Sequence, residues 1–290
     1  MRKTTLTYCL TILISFISGT AFCQSDRLLS DPNIPDSLLN DRFSAYQYYK
    51  THFWDNCQLN DSLLYGNPAY AKRLDAFFDQ VVAPLPDSIN LEIDRLVAKI
   101  DNQSVHDFTL WYLLGKYEHP EYMTHDRVFV HLAESYFLIE GAKINGLDKS
   151  ELALISNLTD TKKRLSLFMP APSLCLKNSI NQNISIQDVK TDYLILFFYD
   201  HDCDVCHSEA HDLKTLLQQR DDIVVYAVDM NSPLQSLDDS FISVSATSTI
   251  GSDPTEAYDI ENTPLIYVLD KDKRIIAKKL KADQIVTILP

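Results

Sequence analysis

Between Asp41 and about Phe168 the apolar positions recur every three or four residues, the spacing of one face of an α-helix. Phe43, Tyr46, Tyr49 and Phe53 form the first row, and Leu74, Phe77, Phe78, Val81 and Val82 the second. Ile89, Ile93, Leu96, Val97 and Ile100 make a third, followed by Phe108, Trp111, Leu114 and Tyr117, then Phe129, Leu132, Tyr136 and Ile139. Pro68 sits near a helix start, and Pro84 and Pro86 break the chain between two helices. Asp87, Ser88 and Ser104 are N-cap candidates. The pattern predicts an all-α helical domain over residues 38–168. Its aromatic rows, at helix spacing, predict core rather than a binding groove.

The pattern then changes. Met169-Pro170-Ala171-Pro172 reads as a linker. Beyond it, Ser173–Leu176 is a candidate edge strand, and Ile184–Ile186 with Asp188 a second short hairpin element. Tyr193–Asp200 has the length and the aromatic and aliphatic content of a buried strand. Ala210, Leu213, Leu216 and Leu217 follow at helix spacing, and the strand Ile223–Asp229 completes a β-α-β unit with a parallel pair. Met230–Gly251 is less regular; a short helix and a short strand, Phe241–Val244, are expected there. Asp253–Tyr258 reads as a helical turn with proline at its first position. Two strands, Leu265–Leu269 and Arg274–Leu280, flank a turn, and a last helix starts at Ala282. Residues 169–290 therefore predict an α/β domain.

A chain of 290 residues holds one large or two ordinary domains, and 46% hydrophobic with 23% charged residues is a globular balance. Arg2 and Lys3, the apolar run Leu6–Ile17 and the small residues after it have the layout of a secretory signal over 1–23. A polar, flexible leader over 24–37 is expected next. Export after cleavage at Cys23 is the primary expectation, into the periplasm or cell envelope. Lipidation of Cys23 is the alternative, though Phe22 is bulky for that signal; only then would the protein be membrane-associated. A formal net charge of −14, more negative once Arg2 and Lys3 are removed, disfavours nucleic acid and anionic membrane surfaces as partners.

Of six cysteines, Cys9 and Cys23 fall in the signal, leaving Cys57, Cys175, Cys203 and Cys206. The spacing of Cys57 and Cys175 does not decide between a disulfide and two buried thiols. A chain of this size needs no staple, which favours thiols. Cys203-Asp-Val-Cys206 is different: it lies between a strand and a helix, with the first cysteine at the helix N-terminus, where unpaired N–H groups favour a thiolate. That is the layout of a redox dithiol. The same residues with His207 also satisfy the c-type haem attachment pattern, which would make an electron carrier. With His207 and His211 they offer zinc ligands, although adjacent Cys206 and His207 crowd a tetrahedral site. A third class is a non-enzymatic binding module. The remaining histidines show no helical metal-site spacing with an acidic partner.

Residues 170–290 resemble a thioredoxin-fold thiol-disulfide oxidoreductase. The nearest likeness is the exported bacterial branch, TlpA- and ResA-like and related to the AhpC/TSA proteins. The matching features are Phe198-x-Asp-x-Asp-Cys-x-x-Cys206, Tyr258-x-Ile-x-x-Thr-Pro264, and Asp270-Lys-Asp-Lys-Arg-Ile-Ile between two strands. The first half resembles an uncharacterised helical domain that commonly precedes this fold in exported proteins. The resemblance implies that Cys203 attacks a partner disulfide and Cys206 resolves the mixed disulfide. It implies that Thr263 faces the thiols across a cis Thr263–Pro264 bond, and that Glu209 tunes them; a solvated helix-surface acid is the other reading of Glu209. No cofactor beyond the redox-active disulfide is implied. Partners would be protein thiols and disulfides, with electrons from an upstream thiol protein, since no nucleotide-binding glycine loop is present. The reductase direction rests on the resemblance alone. The chain departs from the family at Tyr199 for tryptophan, His201 for proline, and Asp204-Val205 between the cysteines. Asp202 and Asp204 oppose a thiolate at Cys203, while His201 and His207 favour one.

Overall fold

The computed structural model describes residues 28–142, 144–231, 233–248 and 253–290, so the expected signal segment and the start of the leader lie outside the described residues. The chain divides into two compact units, Met1–Thr159 and Asp160–Pro290.

The first unit is helical: α1 Arg42–His52, α2 Pro68–Ala76 continued by a π turn Phe77–Val81, α3 Pro86–Val97, α4 Gln103–Lys116, α5 Asp126–Leu132 continued by a π turn Ala133–Phe137, and α6 Lys149–Arg164, inside which the division falls. Asp41 caps α1, its carboxylate accepting the Phe43 and Ser44 N–H groups. Two expected caps are displaced. Asn102, not Ser104, caps α4, its side chain accepting from Ser104 N and Val105 N. Leu85 precedes α3 and Pro86 opens it, because proline gives up no useful N–H at that position. The aromatic rows do form a core: Phe53, Trp54, Tyr70 and Phe77 are buried, with Phe53 4.9 Å from Trp54 and 4.7 Å from Phe77 by ring centroid. The Arg73 guanidinium lies 4.2 Å over the Phe53 ring. The apolar row of α1 is the exception. Phe43 is 70% exposed and Tyr46 41%, while Tyr49 packs against the core and only Phe53, just past the helix, is buried.

The second unit carries a seven-stranded mixed sheet of order β2-β1-β5-β4-β3-β6-β7. The strands are β1 Cys175–Lys177, β2 Asn183–Ser185, β3 Tyr193–Tyr199, β4 Ile223–Asp229, β5 Ile242–Ser245, β6 Leu265–Asp270 and β7 Ile275–Lys278. Helices α7 Asp204–Gln219, α8 Pro254–Tyr258 and α9 Ala282–Ile288 complete it. β3 pairs parallel with β4 and antiparallel with β6, and from Leu194 onward all of its residues are buried. That double pairing explains its unbroken apolar run. Leu194, Leu196 and Phe198 pack with Tyr258 and Tyr267; Phe198 lies 5.2 Å from the Tyr258 ring.

Two expectations about the second unit are corrected. Residues 169–172 are not a free linker. Phe168 N donates to Ile275 O, Ile275 N to Met169 O and Ala171 N to Lys273 O, so the segment pairs along β7. Leu165 joins the same core, and the buried Lys278 ammonium donates to its carbonyl. Between Met230 and Ser248, the described residues form one 3-10 turn, Ala246–Ser248, where a short helix was expected. Among the described residues no helix is long and apolar enough to cross a membrane.

Candidate active site

The site forms where β3 ends. The backbone leaves the sheet after Tyr199, turns through Asp200–Asp202 and enters α7 at Cys203. The turn is closed locally: the Asp200 carboxylate accepts the Asp202 N–H at 2.9 Å, and Cys203 N donates to Asp200 O at 3.2 Å. The Asp202 N–H, then the Asn231 side chain, hold the Asp200 carboxyl below its ordinary range.

Cys203 is the N-cap residue of α7. Its sulfur accepts the Cys206 N–H at 3.2 Å, the bond a serine or aspartate makes at this position. A negative sulfur here gains from that N–H and from the helix dipole. The Cys203 thiol is half-buried and Cys206 is fully buried; both are free thiols. Val205, between them, is 58% exposed. Burial, and next the Cys203 sulfur beside it, push the Cys206 thiol up to about 11. The Asp200 backbone amide and the Thr263 hydroxyl hydrogen-bond to it and oppose that rise.

Thr263 therefore reaches the dithiol from a distant part of the chain, and sheet register explains how. β6 runs antiparallel to β3 with Leu265 opposite Phe198, so the residues just before β6 pass the end of β3. The Thr263–Pro264 peptide bond is cis. Cys203, Cys206 and Thr263 thus meet at the end of β3, with Pro264 following on the cis bond.

Glu209 is placed differently. It lies on the buried face of α7, and its carboxylate accepts the Ala282 N–H at 2.6 Å, at the start of α9. In this geometry Glu209 ties two helices together, satisfying a buried donor at a helix N-terminus. It is neither a solvated surface acid nor in contact with the thiols through any described hydrogen bond.

The sequence reading missed Asp229, the last residue of β4. Its carboxylate is fully buried and accepts Asn231 N at 3.0 Å and Gln235 N at 2.8 Å. His201 Nδ1 lies 3.2 Å from the same carboxylate. The Tyr199 hydroxyl donates to Gln235 O, and burial, then Asp229, raise its pKa. The available signal was an acid ending an otherwise apolar strand. His207 Nε2 sits 2.8 Å from His201 O, so its ring donates into the loop. A haem tether would require that ring as axial ligand and the buried Cys206 sulfur as a thioether, and both are engaged within the fold. Among the described residues, no three His, Cys, Asp or Glu side chains are grouped to hold a metal ion.

A model of a domain of unknown function, DUF5106, matches residues 5–162, more than half of the chain. The chain belongs to the DUF5106 family. The AhpC/TSA family model matches residues 169–278, and the second unit has the thioredoxin-like fold. Among solved structures, a thioredoxin-like protein from Bacteroides caccae matches with TM-score 0.64 at 17% identity, over 89% of this chain and 96% of that one. The two-part architecture is therefore shared across nearly the whole chain. A domain of a possible thiol-disulfide isomerase from Cytophaga hutchinsonii is 29% identical over 42% of this chain and 90% of its own, with TM-score 0.37. The thioredoxin domain of a thiol-disulfide oxidoreductase from Bacteroides vulgatus is 20% identical over 42% and 94%, with TM-score 0.34. No curated protein matches the chain.

Proposed function

We propose that the chain is a thiol-disulfide oxidoreductase that reduces disulfides of partner proteins in the cell envelope. One observation carries the reading: a half-buried Cys203 sulfur at a helix N-cap, taking the Cys206 N–H at 3.2 Å, beside a buried second thiol. The two sulfurs have different environments, as an attacking and a resolving thiol require. Cys203, as thiolate, attacks one sulfur of the partner disulfide. The partner S–S bond breaks, the departing sulfur leaves as thiolate and takes up a proton, and Cys203 is held in a mixed disulfide. Cys206 then gives up its proton and attacks the Cys203 sulfur. The second partner sulfur leaves as a thiol, and the chain is left with a Cys203–Cys206 disulfide. Two electrons and two protons have passed to the partner, and a thiol-bearing donor protein must restore the dithiol.

The reducing direction is supported by the family resemblance, and the envelope location by the charged, apolar and small-residue order of residues 1–23. The test compares the full chain with Cys203→Ser in reduction of insulin disulfides by dithiothreitol. Turnover by the wild type and none by the variant supports the reading. Equal inertness of the two overturns it in favour of a binding module.

A further inference from the structure

His201 and Asp229 are not explained by the exchange chemistry. A fully buried carboxylate needs donors or a counter-charge, since burial without them costs several kcal/mol. Two backbone N–H groups, from Asn231 and Gln235, come from the chain that follows β4 itself. The third partner, His201 Nδ1, comes from the loop that carries the reactive cysteine, 28 positions away in sequence. Its ring is nearly buried, with 11% of the side chain exposed. The residue is also fixed through its backbone, its carbonyl lying 2.8 Å from His207 Nε2 on α7. Immediately before it, Asp200 supplies the amide that reaches the Cys206 sulfur.

We propose that His201 is the positioning residue of the reactive loop, a latch that pins residues 200–203 to the end of β4 through Asp229. This rests on the exchange reading of the same site. With Nδ1–H committed to Asp229, Nε2 is left on the side of Asp202. The charged or titratable groups facing the ring are Asp229 from β4, Asp202 from its own loop with Oδ2 3.6 Å from Nε2, Asp200 beside it, and His207 from α7 through the carbonyl. What the latch controls is the approach of the Asp200 amide to Cys206. That amide favours a negative sulfur, so a loosened loop makes Cys206 harder to deprotonate and slows its attack on the mixed disulfide.

Two substitutions separate the latch from general damage, because Asn reproduces the donor position of Nδ1 and Gln that of Nε2. The full chain is equilibrated with glutathione, and the Cys203–Cys206 peptide is quantified by mass spectrometry; Cys206 alkylation is followed against pH. His201→Gln is expected to leave the glutathione equilibrium at pH 7 within twofold of wild type, because the Cys206 thiol stays protonated there in either chain. Its Cys206 alkylation profile should move about one pH unit upward. His201→Asn should stay within twofold of wild type on both readouts. A His201→Gln chain whose Cys206 alkylation profile matches wild type, or a His201→Asn chain as impaired as His201→Gln, overturns the latch. Failure of His201→Asn to fold does so too, since that variant keeps the bond. If His201→Gln alone fails to fold, His201→Asn decides: wild-type values support the latch and shifted values overturn it. A wild-type pair that does not exchange with glutathione overturns the exchange reading, and the latch with it. Wild-type exchange with an unshifted Cys206 alkylation profile in His201→Gln overturns the latch alone.

Discussion

Removing the hydroxyl of Thr263 tests how the second half of the site acts on the first. In the native chain Cys206 is buried beside Cys203, and its thiol is pushed up to about 11 although the Thr263 hydroxyl and the Asp200 amide oppose the rise. Thr263→Val keeps the shape and deletes one donor. A hydrogen bond to a charged acceptor contributes roughly 1.5–3 kcal/mol. Sulfur is a weak acceptor, so the lower end applies, about 1.5 kcal/mol. At about 1.4 kcal/mol per pKa unit, the Cys206 thiol should rise by about one further unit. At pH 9 both forms lie well below that pKa, so the thiolate fraction, and with it the alkylation rate at Cys206, should fall about tenfold. Iodoacetamide labelling of the folded, reduced chain, resolved by peptide mass spectrometry, measures this. Cys203 should change less than twofold in the same experiment, and Thr263→Ser should restore Cys206. Equal Cys206 rates in wild type and Thr263→Val would refute the idea that the distant hydroxyl acts on this sulfur.

Glu209→Ala should destabilise the folded chain by about 1–3 kcal/mol in urea unfolding, because it strands the buried Ala282 N–H, and it should leave both thiol reactivities nearly unchanged. A large loss of Cys206 reactivity with intact stability would assign Glu209 to the thiol chemistry instead. The raised Cys206 pKa also has a sign for stability. The folded state holds that proton more tightly than the unfolded chain, so the contribution is fully present below the ordinary thiol value of 9.0 and is lost as pH rises through about 11. Urea midpoints of the reduced chain between pH 8 and 11 should therefore fall, and Cys206→Ala should flatten that slope.

Local chemistry explains what could be read in advance. β3, α7 and β4 announce themselves because a twice-paired strand and an amphipathic helix leave period and composition in the sequence. The Cys203 cap and the Pro254 helix start are equally local. Thr263 was legible only through the family likeness, since its arrival at Cys206 depends on the pairing of β3 with β6. Glu209 hides its structural contact for a related reason. Its partner is the Ala282 N–H, far along the chain, and a helical position three residues after Cys206 says nothing about which neighbour the carboxylate meets. The bond between His201 and Asp229 is non-local in the same way. Residues 169–172 misled because prolines mark linkers, yet the N–H and C=O groups on either side of Pro170 pair with β7. The α1 row misled only at its start, because helix spacing shows that a face exists, not that all of it is covered: Phe43 stays exposed while Tyr49 packs on the core and Phe53 is buried.

The central claim is that Cys203 attacks and Cys206 resolves. Replacing Cys206 with Ser removes only the second step. The full-length Cys206→Ser chain, reduced and then mixed with a disulfide-containing protein, should accumulate a stable mixed disulfide mapped by mass spectrometry to Cys203. Wild type treated alike should accumulate none, and should end with Cys203 joined to Cys206. Absence of a Cys203 adduct in the variant, or adducts forming as fast at Cys57 or Cys175, would contradict the account.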